Sequence, residues 1–593
     1  MARPAFTLEA GDESPDTDRH RDDLLAIIAE IEAEESLDAA TLDGILRRHP
    51  RDGCGFFSRA ELIAGFRRHA LEAGDEVRED AFVRRVVMRP VRSQSGVTPV
   101  TILTRPFPCP GRCIFCPNDV RMPKSYLSAE PGAQRAALNR FDAYRQTWSR
   151  LEAYRAIGHP TEKIELIVLG GTWSFYPEAY QVGFLAGCFR ALNDFGAGID
   201  RRSEAKGVDP GALPAFVDGS KETSGVYNRL LKGWEGARDL ADESAGWDEL
   251  EALQRANEQS RCRSVGLSLE TRPDHVTPKE VLRLRRLGAT KVQLGVQSLQ
   301  DEVLRRNQRG HDVAASRRAV ALLRAAGFKL QLHWMPNLLG STPEADRADF
   351  EKLFADADFR PDELKLYPCS LIESAELMQH YERGEWRPYN HAELLEVVSE
   401  ALAAAPHWVR LSRVIRDISS DDIVAGNGLT NFREIAEAEL ARQGRAPREI
   451  RWREVRGEVV DAKELEMRST RYDTSTGLEI FFEFVDDRDR LAAFLRLSLP
   501  GERDVPTPEE VAGAALIREV HVYGGAVDLG QRREGTAQHR GLGRALIEAA
   551  AELARAKGYA RLAVISAVGT RPYYRKLGFE DGPLYQHRTL ASG

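Results

Sequence analysis

The middle of the chain, from residue 97 to about residue 418, alternates between short apolar runs and amphipathic segments with helical periodicity. Apolar runs separated by such helices predict βα repeats and a parallel sheet. The expected fold class is therefore α/β, a partial TIM-like barrel, in which catalytic groups gather at the carboxyl ends of the strands. The predicted strands are 100–103, 163–169, 264–270, 291–295, 329–335 and 363–367, with helices such as 278–287 and 313–326 between them.

The pattern differs before the barrel. Residues 1–20 are polar and acidic, which predicts disorder because such a segment buries too little apolar surface. Residues 21–96 predict a small helical region, with further helices at 39–48 and 59–73. The apolar face of its first helix consists of Leu24, Leu25, Ile27, Ile28 and Ile31.

After the barrel, residues 419–475 are mixed and charged, and we interpret them as a connector. The last part, 476–593, has an antiparallel pattern typical of an α+β domain. Its predicted elements are a hairpin at 478–485 and 491–499, a strand at 515–523, an alanine-rich helix at 541–557 and a strand at 562–566.

Composition and charge limit the possible partners. The 593 residues are 42% hydrophobic and carry a net charge of −8, so a polyanion would need a local basic patch. No signal peptide or apolar run of membrane-spanning length is present, and we expect a cytoplasmic protein. A candidate patch is the segment 81–118, which has no carboxylate and contains six arginines: Arg84, Arg85, Arg89, Arg92, Arg105 and Arg112.

Three cysteines stand close together after the first predicted strand, in the spacing Cys109-x3-Cys113-x2-Cys116. Their thiolates could hold three corners of a [4Fe-4S] cluster, leaving the fourth iron open to the amino and carboxylate groups of S-adenosylmethionine (SAM). The alternatives are a zinc knuckle, a redox pair or unrelated core cysteines, but zinc requires a fourth ligand close by. The spacing resembles the signature of the radical SAM superfamily.

Two further loops follow barrel strands. Gly170, Gly171 and Thr172 form a turn where glycine would let the backbone approach a ligand, and in radical SAM enzymes the corresponding turn contacts the methionyl amino group. The alternative is a plain tight turn. Glu270 follows the third strand and either contacts the SAM ribose or pairs with Arg272.

The start of the alanine-rich helix carries Gln538-His-Arg-Gly541-Leu-Gly543. Free amide groups at a helix start bind a pyrophosphate such as that of coenzyme A, and glycine allows close approach. With the following strand, this pattern resembles GNAT acyltransferases. In that family the next helix carries a tyrosine that acts as hydrogen-bond donor or general acid. Tyr574 is the first candidate and Tyr573 the second; either could instead be a core aromatic residue.

The combination of both domains resembles the catalytic subunit of Elongator in its bacterial and archaeal single-chain form, over residues 84–585. The resemblance implies a radical SAM domain at 97–418, a GNAT domain at 476–593 and formation of 5-carboxymethyluridine at the tRNA wobble position. In the mechanism that the resemblance implies, the deoxyadenosyl radical takes a hydrogen from the methyl group of acetyl-CoA, and the resulting carbon radical adds to C5 of the uridine. Hydrolysis of the thioester then leaves the carboxymethyl group. The implied acetyl-CoA contacts are Glu519, Val520, His521, Val522, Leu542, Gly543, Arg544, Tyr574 and Lys163, which is otherwise a solvated strand-end lysine.

The implied partners are tRNA, through its anticodon stem-loop, and an electron donor. Neither DNA nor a membrane is expected, and a homodimer remains open. We assign the tRNA contacts to Arg84, Arg85, Arg89 and Arg92; the alternative is a solvated basic face. Two other functions compete: a protein lysine acetyltransferase with a structural cluster, and a non-catalytic RNA-binding scaffold.

Overall fold

We analysed a computed structural model of the chain. The structure describes residues 17–53, 55–72, 75–87, 96–213, 224–238, 244–455, 462–502, 504–523 and 541–590. Two seven-stranded sheets dominate this part of the chain, one in the middle and one near the carboxyl end. Within it, no helix combines the length and the apolar character needed to cross a bilayer.

The amino-terminal helices pack around their own apolar core, as their periodicity predicts. Ser58 and Glu61 form a reciprocal capping box at one helix start, and Phe66 and Phe82 stack with ring centroids 4.1 Å apart. Residues 17–20, predicted as disordered, instead form a turn in which His20 is buried. The helices are α1 Arg21–Ala33, α2 Ala39–Arg48, α3 Arg59–Gly65, continued by a π-helical turn Phe66–Ala70, and α4 Glu76–Val86.

The middle sheet is wholly parallel, with its strands in chain order, which confirms the partial barrel. Its seventh strand, at 410–413, was not predicted because four residues with arginine at both ends do not form an apolar run. The strands are β1 Thr98–Leu103, β2 Lys163–Leu169, β3 Arg263–Thr271, β4 Lys291–Gln297, β5 Lys329–Trp334, β6 Glu363–Leu366 and β8 Arg410–Arg413; β7 Leu371–Ile372 and β9 Ile423–Ala425 form a separate pair.

Helices pack against this sheet and begin where their caps predict. Thr277 and Asp312, for example, accept hydrogen bonds from amides in the first turns of two of them. The helices are α5 Pro131–Leu138, α6 Ala143–Ala156, α7 Glu178–Ala197, α8 Ser224–Gly233, α9 Glu235–Arg238, α10 Trp247–Asn257, α11 Pro278–Arg286, α12 Asp301–Arg306, α13 Val313–Ala325, α14 Pro343–Ala355, α15 Leu377–Glu382, α16 His391–Ala404, α17 Phe432–Arg442 and α18 Ile450–Arg453.

The second sheet is mostly antiparallel and begins earlier than predicted. The strand at 466–474 lies inside the segment interpreted as a connector, where its mainly exposed polar residues form an edge strand. The elements are β10 Glu466–Thr474, β11 Gly477–Val485, β12 Leu491–Pro500, β13 Ala515–Val522, α19 Leu542–Ala556, β14 Arg561–Val564, α20 Arg571–Arg575, β15 Glu580–Asp581 and β16 Gln586–Thr589.

Strands β13 and β14 open a cleft in this sheet. They pair in parallel only from Ala515 to Ile517, so the rest of β13 keeps its partner β12 and leaves its other edge free of β14. A register shift between β12 and β13 sets Arg518 apart from the regular pairing. A bulge of this kind redirects a side chain, and here the redirected arginine enters the interface with the barrel.

Arg518 joins the two sheets through a buried ion cluster. Its guanidinium donates two hydrogen bonds of 2.7 Å to Asp362, next to β6 of the barrel, and one of 2.9 Å to Glu479 of β11. A fourth hydrogen bond, of 2.9 Å, goes to the Phe328 carbonyl. The three charged side chains are fully buried, so the guanidinium compensates two desolvated carboxylates, with Arg496 3.6 Å from Asp362 as a second cation.

Replacing Arg518 by methionine is expected to lower the free energy of unfolding by about 3–5 kcal/mol, because it leaves two buried carboxylates without this partner. Urea unfolding followed by circular dichroism measures the effect. The control is Arg442→Met, which removes an exposed ion pair with Glu439 and should stay close to wild type. Equal urea midpoints for the two variants would contradict the prediction.

Candidate active site

The cysteine loop leaves the carboxyl end of β1 and is held by the side chain of Asn228 on α8. The Asn228 carboxamide accepts a hydrogen bond from the Cys109 amide and donates one to the Cys109 carbonyl, both 2.8 Å long. Cys109, Cys113 and Cys116 line one pocket at this end of the barrel. None of the three forms a disulfide, so their sulfurs are available to a ligand.

Each of the three sulfurs has a hydrogen-bonding group beside it. The Gly111 amide lies 3.4 Å from Cys109 Sγ, Arg309 Nη1 lies 3.4 Å from Cys113 Sγ, and the Ser125 hydroxyl lies 3.3 Å from Cys116 Sγ. The hydrogen bond from Cys116 and the charges of Arg309 and Arg272 hold the pKa of the Cys113 thiol well below its usual range, against the effect of burial. Thiolates with such donors are suitable ligands for an iron–sulfur cluster.

The spacing of the cysteines suits a cluster better than a single ion. Among the described residues, no group of three His, Cys, Asp or Glu side chains converges on one point as a mononuclear metal requires. A cubic cluster differs, because each cysteine binds its own iron. The donor set of this pocket, three cysteine sulfurs, is compatible with a [4Fe-4S] cluster that has one open iron.

The glycine turn after β2 faces the same pocket. Gly170 has a φ of +146°, and a Cβ there would lie 1.9 Å from Thr104 Oγ1, so only glycine allows this close approach. Gly171 and Thr172 line the pocket with it. The structure thus brings the glycine turn to the cysteines, and its contact with SAM remains a prediction.

Glu270 also lines this pocket. Burial raises the pKa of its carboxyl, while Lys365 and Arg416 act in the opposite direction. The alternative that Glu270 pairs with Arg272 is wrong: Arg272 donates two hydrogen bonds of 2.9 Å to Asp274. Glu270 is therefore free of that structural role and stays a predicted ligand contact.

A second pocket lies between the amino ends of the barrel strands and the open cleft of the second sheet. Predicted residues Glu519, Val520, His521 and Tyr574 line it. They meet barrel residues that the sequence analysis missed, Lys291, Lys329, Glu363 and Arg410. Each of these four is the first residue of its strand. A charged residue at the start of a buried strand is the sequence signal that could have identified them.

Glu519 forms an ion pair with Lys329 of the barrel. Lys329 Nζ lies 2.5 Å from Glu519 Oε1 and 2.7 Å from Glu363 Oε1, and Arg496 donates to Glu519 at 2.9 Å. Burial lowers the pKa of His521 to about 4, so its ring is neutral at physiological pH. The pocket wall thus combines fixed charges with a neutral imidazole.

The start of α19 has the local geometry that the glycine motif predicts. Gly541 caps the helix with a φ of +76°, in the left-handed region. A Cβ on Gly543 would lie 2.9 Å from the Tyr573 hydroxyl and 3.5 Å from a Val522 methyl. Leu542 is buried and Arg544 is exposed. Gln538 lies outside the described residues, and coenzyme A binding at this helix start remains a prediction.

The two candidate tyrosines differ in position. Tyr574 is 7% exposed and lines the second pocket, whereas Tyr573 is 37% exposed and lies beside Gly543. Burial raises the pKa of both phenols, so both keep their proton at physiological pH. The location of Tyr574 favours it over Tyr573 as the donor.

The remaining predicted residues lie elsewhere. Lys163 opens β2 and is not among the described residues that line either pocket. Arg84 and Arg85 lie in the last turn of α4; Arg84 is exposed with Asp80 3.9 Å away, and Arg85 donates to the Glu34 carbonyl. Arg89 and Arg92 lie outside the described residues.

Comparison with known families agrees with both halves of the chain. The Radical SAM superfamily matches residues 239–352, the Radical_SAM C-terminal domain residues 361–442 and the Acetyltransferase (GNAT) family residues 448–579. A barrel with a cysteine loop, joined to a GNAT sheet, defines a radical SAM enzyme with an acetyltransferase domain.

The similar proteins are more specific. The tRNA uridine(34) acetyltransferase of Methanocaldococcus jannaschii is 35% identical over 95% of this chain and 96% of its own, and that of Dehalococcoides mccartyi is 38% identical over 82% and 96%. Elongator complex protein 3 of Danio rerio is 32% identical over 85% and 86%. The chain therefore belongs to the family of tRNA uridine(34) acetyltransferases and Elongator complex protein 3.

A solved structure agrees with this membership. The archaeal Elp3 of Methanocaldococcus infernus, with its residues 1–46 deleted, superposes with a TM-score of 0.66 at 33% identity and covers 84% of this chain and 99% of its own. The predicted order of a radical SAM barrel followed by a GNAT domain is confirmed.

Proposed function

We propose that this protein carboxymethylates the wobble uridine of tRNA, using SAM and acetyl-CoA to form 5-carboxymethyluridine. The observation that carries the proposal is that one chain holds both a pocket lined by the three cysteines and a second pocket between the barrel and the GNAT sheet. The pocket lined by the cysteines lies at the carboxyl ends of the barrel strands, and the second pocket lies at their amino ends against the GNAT sheet. The names of the similar proteins support uridine 34 as the target.

In the first pocket, Cys109, Cys113 and Cys116 would hold the cluster, which when bound supplies the electron that cleaves SAM. The turn Gly170–Thr172 and Glu270 would orient the methionyl and ribose parts of SAM. With SAM bound, the pocket wall would shield a reactive species from water and side reactions. The chain's own contribution there is binding, orientation and exclusion of solvent.

At the start of α19, which does not itself line the second pocket, the backbone amides would bind the pyrophosphate of coenzyme A. Glu519 to Val522 would line the pantetheine arm, and Lys163 would contact the same ligand from the barrel. When water hydrolyses the thioester, the protonated Tyr574 hydroxyl would donate a proton to the departing CoA sulfur. Lys329 and Glu519 pair with each other, and the five lysine and arginine side chains that line the pocket outnumber its three glutamates.

The proposed reaction requires two partners, a tRNA substrate and an electron donor. We propose tRNA, bound through its anticodon stem-loop, and a one-electron donor for the cluster, with the cytoplasm as the reducing compartment in which such a cluster persists. A homodimer remains a hypothesis. Arg84, Arg85, Arg89 and Arg92 would contact phosphates.

The decisive experiment measures 5′-deoxyadenosine, free CoA and modified nucleoside from the anaerobically reconstituted, reduced protein, with and without tRNA. We expect all three products only when tRNA, SAM and acetyl-CoA are present together. CoA release onto a lysine peptide without deoxyadenosine would instead identify a protein acetyltransferase. Binding of tRNA with none of the products would identify a scaffold.

Replacing Arg84 and Arg85 by alanine should weaken tRNA binding and flatten its salt dependence. Each arginine that pairs with a phosphate releases counterions, so the slope of log affinity against log salt should fall by about 0.7 to 0.9 per contact. Phosphate contacts position the RNA without reading its sequence, so all tRNAs should be affected alike. Fluorescence anisotropy across a salt series measures the slope.

Arg442→Ala is the matched control, because it removes an exposed arginine of α17. Its slope should equal that of wild type, and acetyl-CoA affinity should not change in either variant. If the double variant also keeps the wild-type slope, the basic helix end is a solvated face.

A further inference from the structure

Two guanidinium groups converge on the sulfur of Cys113. Arg309 Nη1 lies 3.4 Å from Cys113 Sγ and Arg272 Nη1 lies 4.0 Å from it. All three side chains are almost completely buried, with residue exposures of 6% for Arg309, 5% for Arg272 and 4% for Cys113. Neither arginine comes from the cysteine loop: Arg272 follows β3 and Arg309 follows α12. The tertiary fold therefore places two fixed positive charges at one of the three sulfurs.

Both guanidinium groups also donate hydrogen bonds to groups other than Cys113. Arg272 makes its two hydrogen bonds to Asp274 and a third, of 2.7 Å, to the Arg309 carbonyl. Arg309 Nη2 donates to the Gly295 carbonyl at 2.5 Å. These contacts fix the direction in which the remaining Nη1 groups point, namely at Cys113.

Two glycines make room for this arrangement. A Cβ on Gly111, within the cysteine loop, would lie 2.1 Å from Arg272 Nη1, and a Cβ on Gly295 would lie 2.6 Å from Arg309 Nη2. Any other residue at Gly111 would displace the guanidinium from the sulfur. The close approach of the two arginines to Cys113 therefore requires glycine both at Gly111 in the cysteine loop and at Gly295 in β4.

We propose that Arg272 and Arg309 are positioning residues that raise the reduction potential of the cluster, and that Asp274 limits the effect of Arg272. The proposal rests on the proposed cluster at Cys109, Cys113 and Cys116. Reduction adds one negative charge to the cluster, and a nearby buried cation stabilises that charge strongly because the surrounding dielectric is low. Hydrogen bonds to the sulfurs and the local net charge set cluster potentials. The arginines make the cluster easier to reduce by a physiological electron donor.

The test is the midpoint potential of the reconstituted protein without SAM, measured by potentiometry with electron paramagnetic resonance of the reduced cluster. Arg309→Gln and Arg272→Gln should shift the midpoint to more negative values. Asp274→Asn should shift it to more positive values, because Arg272 then keeps its charge without its carboxylate partner. Arg309→Lys retains the charge and should recover most of the shift. Arg442→Gln, an exposed arginine of α17, should leave the midpoint unchanged.

Midpoint shifts of opposite sign in Arg272→Gln and Asp274→Asn would support the proposal. A loss of stability alone gives no reason for the two midpoint potentials to move in opposite directions. Unchanged midpoints in both arginine variants, at wild-type iron content, would overturn it while leaving the proposed function intact. A wild-type protein that binds no cluster would overturn both. If Arg309→Gln fails to retain iron, Asp274→Asn decides, because a positive shift supports the proposal and any other result contradicts it.

Discussion

Replacing Cys113 by alanine is expected to abolish both the brown absorbance of the cluster and the tRNA product. Cys113 is the most deeply buried of the three cysteines, and the Arg309 guanidinium 3.4 Å from its sulfur favours the thiolate that binds iron. Two remaining cysteines cannot hold a cluster with one open iron. Iron analysis and visible absorbance after anaerobic reconstitution measure the loss.

The matched control is Cys188→Ala, which removes a fully buried thiol from α7 in the barrel core. Cys188 does not line the cysteine pocket, and burial raises the pKa of its thiol to about 12, so the variant should keep wild-type iron content. Normal iron in Cys113→Ala would remove the cysteine loop from the cluster and leave the barrel without its proposed cofactor.

Replacing Tyr574 by phenylalanine is expected to lower tRNA-dependent CoA release by about 10²- to 10⁴-fold, the usual effect of losing a positioned acid or donor. The substitution removes one hydroxyl and leaves the ring in its edge-to-face contact with Phe579, whose centroid is 5.5 Å away. Iron content and tRNA affinity should therefore stay at wild-type values. The assay follows free CoA from acetyl-CoA in the complete reaction.

Tyr573→Phe provides the comparison, because it removes the neighbouring, more exposed hydroxyl beside Gly543. A large loss there, together with normal turnover of Tyr574→Phe, would transfer the role to Tyr573. The raised pKa of Tyr574 has a further consequence: the phenol remains protonated above its ordinary pKa of about 10. Activity should therefore not fall through ionisation of this donor at moderately alkaline pH.

Much of the fold could be predicted because its signals are local. The apolar runs at β1 to β6 and the helices around them follow from side-chain periodicity, which depends on neighbouring residues alone. The strand β8 and the edge strand β10 could not be predicted, since one is four residues long and the other is mainly polar. Both are strands because a neighbouring strand pairs with them.

The sequence by itself determined the chemistry of the two candidate sites. The spacing of Cys109, Cys113 and Cys116 predicts a cluster loop, and Gly541 and Gly543 predict a helix start suited to a pyrophosphate. Both signals lie within a few residues, so no knowledge of the fold is needed to find them. They lead to the class of enzyme, while the individual contacts with SAM, acetyl-CoA and tRNA remain predictions.

Only the tertiary structure decided how these sites are completed and related. Arg309 is separated from Cys113 by 196 residues, and Lys329 from Glu519 by 190, yet each pair is in contact. Such pairs form because the parallel sheet brings strand ends together and because Arg518 fixes the GNAT sheet against the barrel. Contacts at this separation depend on the order and register of whole strands, which local patterns do not encode. The electrostatics of both pockets therefore follow from the assembled fold.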